Sequence, residues 1–277
     1  MSGEGPRLSP HRHAGKIALV TGASRGIGRA VAQRFAAEGA SVVVNHFRDA
    51  AAAQECLALL DAASRREGHA AARHCAIDAD IGVAEGVAEL FQQALRHAAK
   101  LDILVNNAGI QAPTPGDSFD DATLLRILNV DLIGASQCAR AALAHFVSRP
   151  GGGIIINTTS VHERVPKPGY LAYSIAKGGL GNLTRTLALE FADRGIRVNA
   201  VGPGAVTTDM NAAWVNDPQA RAGVESHLPM GRAASAAEIA TVFAFLASDE
   251  AAYITGQTIY ACGGITLYGE FKQNWAS

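Results

Sequence analysis

The chain has 277 residues, 48 % hydrophobic and only 18 % charged, a composition that can bury a large core and excludes disorder over most of its length. Lysine and arginine number 24 against 25 aspartates and glutamates, for a formal net charge of −1. That balance argues against partners held by charge, both nucleic acid and anionic membrane.

No apolar run reaches the ~18 residues needed to span a bilayer. Met1 to Gly15, rich in Gly, Pro, Ser and His, reads as a flexible leader and not as a signal peptide. Two imidazoles in His11-Arg12-His13 could chelate a metal, but on a loose tail they read as solvated. Cys56, Cys75, Cys138 and Cys262 lie far apart with no C-x-x-C pair. Reduced thiols in a cytoplasmic protein, with no metal site, are the expectation.

From residue 16 onward, short β-branched runs alternate with longer Ala/Leu-rich segments. Strands are predicted at Ile17–Val20, Ser41–Val44, Ala70–Ile77, Ile103–Asn106, Ile154–Asn157, Ile196–Val201 and Gln257–Tyr260. Helices are predicted at Ala30–Glu38, Ala50–Arg66, Val83–Ala99, Leu124–Val147, Ala172–Ala192 and Ala236–Ala247. Repeated strand-then-helix units predict an α/β fold, a doubly wound parallel sheet of about seven strands with helices on both faces. The strands are apolar throughout and do not alternate, as expected of a sheet covered on both sides. No linker divides residues 16–277, so they read as one domain. The alternation breaks mainly between Gly202 and Arg232, and a lid is expected at 205–232.

The first strand runs into Thr21-Gly22-Ala23-Ser24-Arg25-Gly26-Ile27-Gly28, directly before a helix. Glycines there allow a tight turn and let backbone N–H groups approach a pyrophosphate at the helix N-terminus. The spacing G-x-x-x-G-x-G differs from G-x-G-x-x-G, but its place after the first strand points to a dinucleotide. The end of the second strand selects which one. A carboxylate there would bind a ribose 2′-OH; this chain has Asn45, then His46, Phe47 and Arg48. With Arg25 in the glycine loop as a second cation, a 2′-phosphate is favoured, so NADP is expected, with NAD also usable.

Ser160 follows the fifth strand, Tyr173 comes thirteen residues later, and Lys177 lies four beyond it. On a helix, i,i+4 spacing puts phenol and ammonium on one face. A free phenol has a pKa near ~10 and is a poor base at neutral pH. A neighbouring ammonium and an oxidised nicotinamide both favour phenolate. Ser160 would then hold the substrate oxygen while hydride moves to or from the nicotinamide. Singly each residue is more often structural; the set after this glycine loop is not.

These motifs, with Asn106-Asn107-Ala108-Gly109 and Gly202-Pro203-Gly204, resemble the short-chain dehydrogenase/reductase family over residues 16 to about 271. The resemblance implies a Rossmann-type sheet, NAD(P)-dependent hydride transfer between alcohol and carbonyl, and a homotetramer. By matching position, Asn106, Ala108 and Gly109 would support the cofactor and the sheet. Asp78 would contact the adenine, and Pro203, Gly204, Val206 and Thr208 would lie along the nicotinamide end with Tyr173 and Lys177. Asp131 stands where the family usually has the Asn of its catalytic group.

Within the family, Ser160-Val161-His162-Glu163, Lys177-Gly178-Gly179, Leu228-Pro229-Met230-Gly231 and the ending Gly263 to Tyr268 then Phe271 resemble bacterial glucose 1-dehydrogenases. Gln111 and Lys167 depart from that subgroup's usual Glu and Trp. Gln111, His162 and Glu163 are the candidate substrate contacts, and a sugar or similar polyol the expected substrate. The competing reading is a 3-oxoacyl-thioester reductase running the reverse reaction. A cofactor sensor without catalysis is a third, disfavoured by the intact Ser160, Tyr173 and Lys177. Helices 124–147 and 172–192 are apolar around much of their circumference, which favours burial against further subunits.

Overall fold

A computed structural model describes residues 11–267 of the protein. Met1–Pro10 of the leader, and the expected roles of Tyr268 and Phe271 in the ending motif, lie outside the described residues.

In chain order the elements begin β1 (Ile17–Val20), α1 (Gly26–Ala37), β2 (Ser41–His46), α2 (Ala50–Arg66), β3 (His74–Asp78) and α3 (Ala84–Ala98). They continue with β4 (Ile103–Asn106), α4 (Asp121–Leu128), a π-helical turn at Asn129–Gly134, α5 (Ala135–Val147), β5 (Gly153–Thr158), α6 (Leu171–Phe191) and β6 (Ile196–Val201). The last are β7 (Val206–Thr207), α7 (Ala212–Val215), α8 (Pro218–Ser226), β8 (Ala234–Ser235), α9 (Ala236–Leu246) and β9 (Thr258–Ile259). Seven parallel strands make the main sheet, in the order β3-β2-β1-β4-β5-β6-β9.

Successive strand residues face opposite layers, and both layers are apolar. Ala18 and Val20 of β1 join Val42, Val44, Ile103 and Val105 against Phe35 of α1 and Phe243 of α9. Leu19, between them, joins Val43, Leu104 and Ile155 on the other face, against Leu90 of α3 and Cys138 of α5. This is why the strands read as continuous apolar runs. The doubly wound architecture agrees with the sequence reading. Among the described residues no helix is long and apolar enough to cross a membrane.

Three differences are physical. The expected strand at 70–77 starts only at His74, after a turn through Ala70 and Ala71. The single helix expected at 124–147 is interrupted by the π-helical turn, which carries Asp131. His13, expected to be solvated on a loose leader, is fully buried, and its N–H donates to the Glu38 carbonyl at 2.8 Å. Its ring lies edge-on to Phe35 at 4.9 Å, with Nε2 3.5 Å from Glu38 Oε2.

The strand order reverses between β1 and β4, whose carboxyl ends part to leave a crevice. Ligands of such sheets bind at that point. A cavity of about 560 Å³ lies there. Another of about 570 Å³ lies at the amino ends, beside Ile103, Gly153 and Ile196; the strand-polarity rule selects the former as the site.

Candidate active site

The glycine loop is held from three sides. Thr21 Oγ1 accepts from the N–H groups of Asn107 and Ala108 at 2.9 and 3.0 Å. The Asn107 side chain donates to the Thr21 and Gly22 carbonyls at 3.0 and 3.1 Å. Asn45 Oδ1 accepts from Gly22 N–H at 3.3 Å, while its amide donates to the Ala79 carbonyl at 3.0 Å. Gly22 has φ +60°, and a Cβ there would stand 2.7 Å from Ala108 Cα. Only glycine lets the loop lie this close to the chain leaving β4.

Helix α1 starts at Gly26 with no side-chain cap and no acidic residue in its first turn. Its opening N–H groups are thus left to an anion. Together with the close-packed glycine loop, this fits the pyrophosphate of a dinucleotide. Gly22, Ser24, Arg25, Gly26, Ile27 and Asn45 line the cavity, as do Ala108, Gly109, Pro203, Gly204, Val206 and Thr208.

Four expected cofactor residues do not line the cavity. Gly28 packs beneath the loop, where a Cβ would collide with the Asn107 side chain and the Gly22 carbonyl. Asn106 is buried and donates to the Ala135 carbonyl and to Asn157 Oδ1, at 3.1 and 2.9 Å. Asp78 accepts from the Arg48 N–H at 3.1 Å, and Ala79 and Asp80 reach the cavity in its place. Arg48 has φ +52° and lays its guanidinium 4.9 Å from the Phe47 ring centre. Phe47, not Arg48, is on the wall.

Arg25 pairs with Asp49 at 2.5 Å, and Ser24 Oγ donates to the same carboxylate oxygen at 2.8 Å. The Arg25 hydrogen bond holds the Asp49 carboxyl below its usual range, against the opposing effect of burial. The sequence does not single out Asp49, because it stands directly before α2, beyond the strand end where a ribose-binding acid is sought.

At the other end of the cavity, Ser160, Tyr173 and Lys177 converge. Ser160 follows β5 closely; its Oγ accepts from the His162 N–H at 3.2 Å. Tyr173 is in the first turn of α6, with Lys177 one turn later. Lys177 Nζ lies 5.3 Å from the Tyr173 ring centre and donates to the Thr158 carbonyl at 3.1 Å.

Asp131 completes the group. Its Oδ2 is 3.1 Å from Lys177 Nζ, and its Oδ1 accepts from the Ile110 N–H at 2.8 Å. Both side chains are buried. Burial pushes the Asp131 carboxyl up, opposed by the ammonium. Burial lowers Lys177, but the facing carboxylate more than restores it, so the ammonium is held.

Of the expected substrate contacts, Gln111 and His162 line the cavity and Glu163 does not. Glu163 turns to Arg185 Nη1 at 3.3 Å and to Thr258 Oγ1; it braces the loop after Ser160 against α6 and β9. His162 Nδ1 is 2.9 Å from the Val165 carbonyl, and burial lowers its pKa. Lys167, Met210, Asn211 and Trp214 also reach the cavity. The sequence already suggests Met210 and Trp214 as pocket wall and Lys167 as near the substrate, but neither the loop of Lys167 nor the short helix α7 of Trp214 has a period long enough to fix the side-chain directions.

A family model described as Enoyl-(Acyl carrier protein) reductase matches residues 22–266. A glucose 1-dehydrogenase of Gluconobacter oxydans is 42 % identical over 266 residues, covering 96 % of this chain and 97 % of that protein. A 3beta-hydroxysteroid dehydrogenase 1 of Eggerthella lenta is 45 % identical over 258 residues, 93 % of this chain and 96 % of that one. The crystal structure of the angucycline C-6 ketoreductase LanV with bound NADP superposes with a TM-score of 0.84 at 34 % identity. The match covers 95 % of this chain and 100 % of LanV. The chain belongs to the short-chain dehydrogenase/reductase family. It is an oxidoreductase acting on CH–OH groups with a nicotinamide cofactor.

Proposed function

We propose that the protein is an NADP-preferring dehydrogenase of a sugar or similar polyol, and that NAD also serves. Residues 16–277 act in this reading as a single NAD(P)-binding catalytic domain. The convergence of Ser160, Tyr173 and the buried Lys177 at the cavity wall carries it. The bound nicotinamide would accept the hydride from the carbinol carbon. Ser160 Oγ would hold the substrate oxygen, and the Tyr173 phenolic oxygen would take its proton. Lys177, fixed by Asp131 and the Thr158 carbonyl, supplies the positive charge beside the phenol.

The preference for NADP rests on charge. Asn45 is engaged by the glycine loop, and Arg25 stands on the cavity wall. A 2′-phosphate would share Arg25 with Asp49. Residues 205–232 act as a lid in this reading: Met210, Asn211, Trp214 and Val224 line the cavity.

The protein is read as a cytoplasmic homotetramer. All four cysteines are free, which suits a reducing compartment. Ile133, Val147, Ile175 and Leu189 are exposed on the segments expected to meet other subunits. Light scattering from the purified protein tests the tetramer, and a monomer would reject it.

The activity is tested by nicotinamide absorbance, offering a panel of aldoses and polyols with NADP⁺ and NAD⁺, and acetoacetyl thioester with NADPH. Oxidation of sugars, faster with NADP⁺, is expected. Turnover of the thioester alone would replace this reading with a 3-oxoacyl-thioester reductase.

A further inference from the structure

The cations on the cavity wall are not alike. Arg25 faces Asp49 at 2.5 Å, Arg126 faces Asp80 at 3.0 Å and Lys177 faces Asp131 at 3.1 Å. Lys167 has no carboxylate within ion-pair distance among the described residues. Its Nζ donates to a neutral acceptor, Gln111 Oε1, at 3.0 Å. It also lies 3.7 Å from the Tyr170 ring centre and 5.8 Å from that of Tyr173.

We infer that Lys167 binds a carboxylate on the substrate, so that the polyols the enzyme oxidises are polyhydroxy acids such as sugar acids. This rests on the dehydrogenase reading above and narrows its substrate class. An ammonium has three donors; Gln111 uses one and leaves two for the oxygens of an anion. The ammonium sits over the Tyr170 ring, which fixes the position of the charge. Partial burial already disfavours that charge, so an anion would relieve a cost that a neutral hydroxyl would not. A charge-assisted contact of about 2.8 Å would place the carboxylate within a few bonds of the carbon presented to Tyr173.

The test uses matched probes: 3-hydroxybutyrate with its methyl ester, and gluconate with sorbitol. Turnover is measured with NADP⁺, and calorimetric binding to the enzyme–NADP⁺ complex is measured alongside. The acid is expected to exceed its neutral partner by about tenfold or more in kcat/KM or in affinity. Lys167→Met should collapse that ratio, Lys167→Glu should invert it, and Lys167→Arg should keep most of it. A ratio unchanged in Lys167→Met, or a wild-type preference for the neutral partners, overturns the inference. Binding that depends on Lys167 without turnover of any probe would support the carboxylate site and count against the dehydrogenase reading alone.

Discussion

Asp131 and Lys177 form a buried ion pair, 3.1 Å between Oδ2 and Nζ, close behind Tyr173. The π-helical turn at Asn129–Gly134 carries Asp131, and such turns within helices often mark functional positions. The carboxylate holds the ammonium in a site where burial alone would disfavour it.

Asp131→Asn removes the charge that holds the Lys177 ammonium against burial, so the lysine loses its proton at lower pH. The alkaline side of the pH–rate profile for alcohol oxidation should therefore fall earlier than in wild type. The maximal rate should stay within about tenfold of wild type, with that side displaced by roughly one pH unit. Steady-state rates across pH check this; complete loss of activity would show that the carboxylate has a role of its own.

Arg25→Ala should weaken NADP(H) more than NAD(H), by about tenfold in the ratio of kcat/KM values. Asp49→Asn should act in the opposite sense, since it frees Arg25 for a 2′-phosphate. Equal losses for both cofactors in Arg25→Ala would remove Arg25 from phosphate recognition.

His13 predicts acid sensitivity. Burial, with Arg12 beside it, lowers its pKa from 6.5 to about 4. The unfolded chain then binds the extra proton between those values, so the contribution is complete above pH 6.5 and is lost as pH falls toward 4. The full effect is about 3 kcal/mol. Thermal melting from about pH 7 down to about 4.5 should show a falling Tm, with a shallower slope in His13→Gln; parallel slopes would contradict the assignment.

Much of this is legible in the sequence. The bounds of β1, β4, β6 and α2 match the apolar runs and the helical pattern, because buried parallel strands and amphipathic helices impose strong local signals. The glycine loop and the Ser160, Tyr173 and Lys177 set are legible through spacing on one strand end and one helix. The π-helical turn is not, since a single wide turn leaves the apolar pattern of a long helix nearly unchanged. Glu163 and Lys167 lie four residues apart in a loop, yet one turns to Arg185 and the other to the cavity. Their directions follow from tertiary packing. The burial of His13 is hidden for the same reason: it depends on Phe35 and Glu38, contributed by and just beyond α1.

Replacing Tyr173 with Phe tests the central claim most directly, by removing one oxygen while leaving the ring. Tyr173→Phe should lose turnover by about a thousandfold or more while binding NADP(H) within a few-fold of wild type. Turnover retained near the wild-type rate would contradict it.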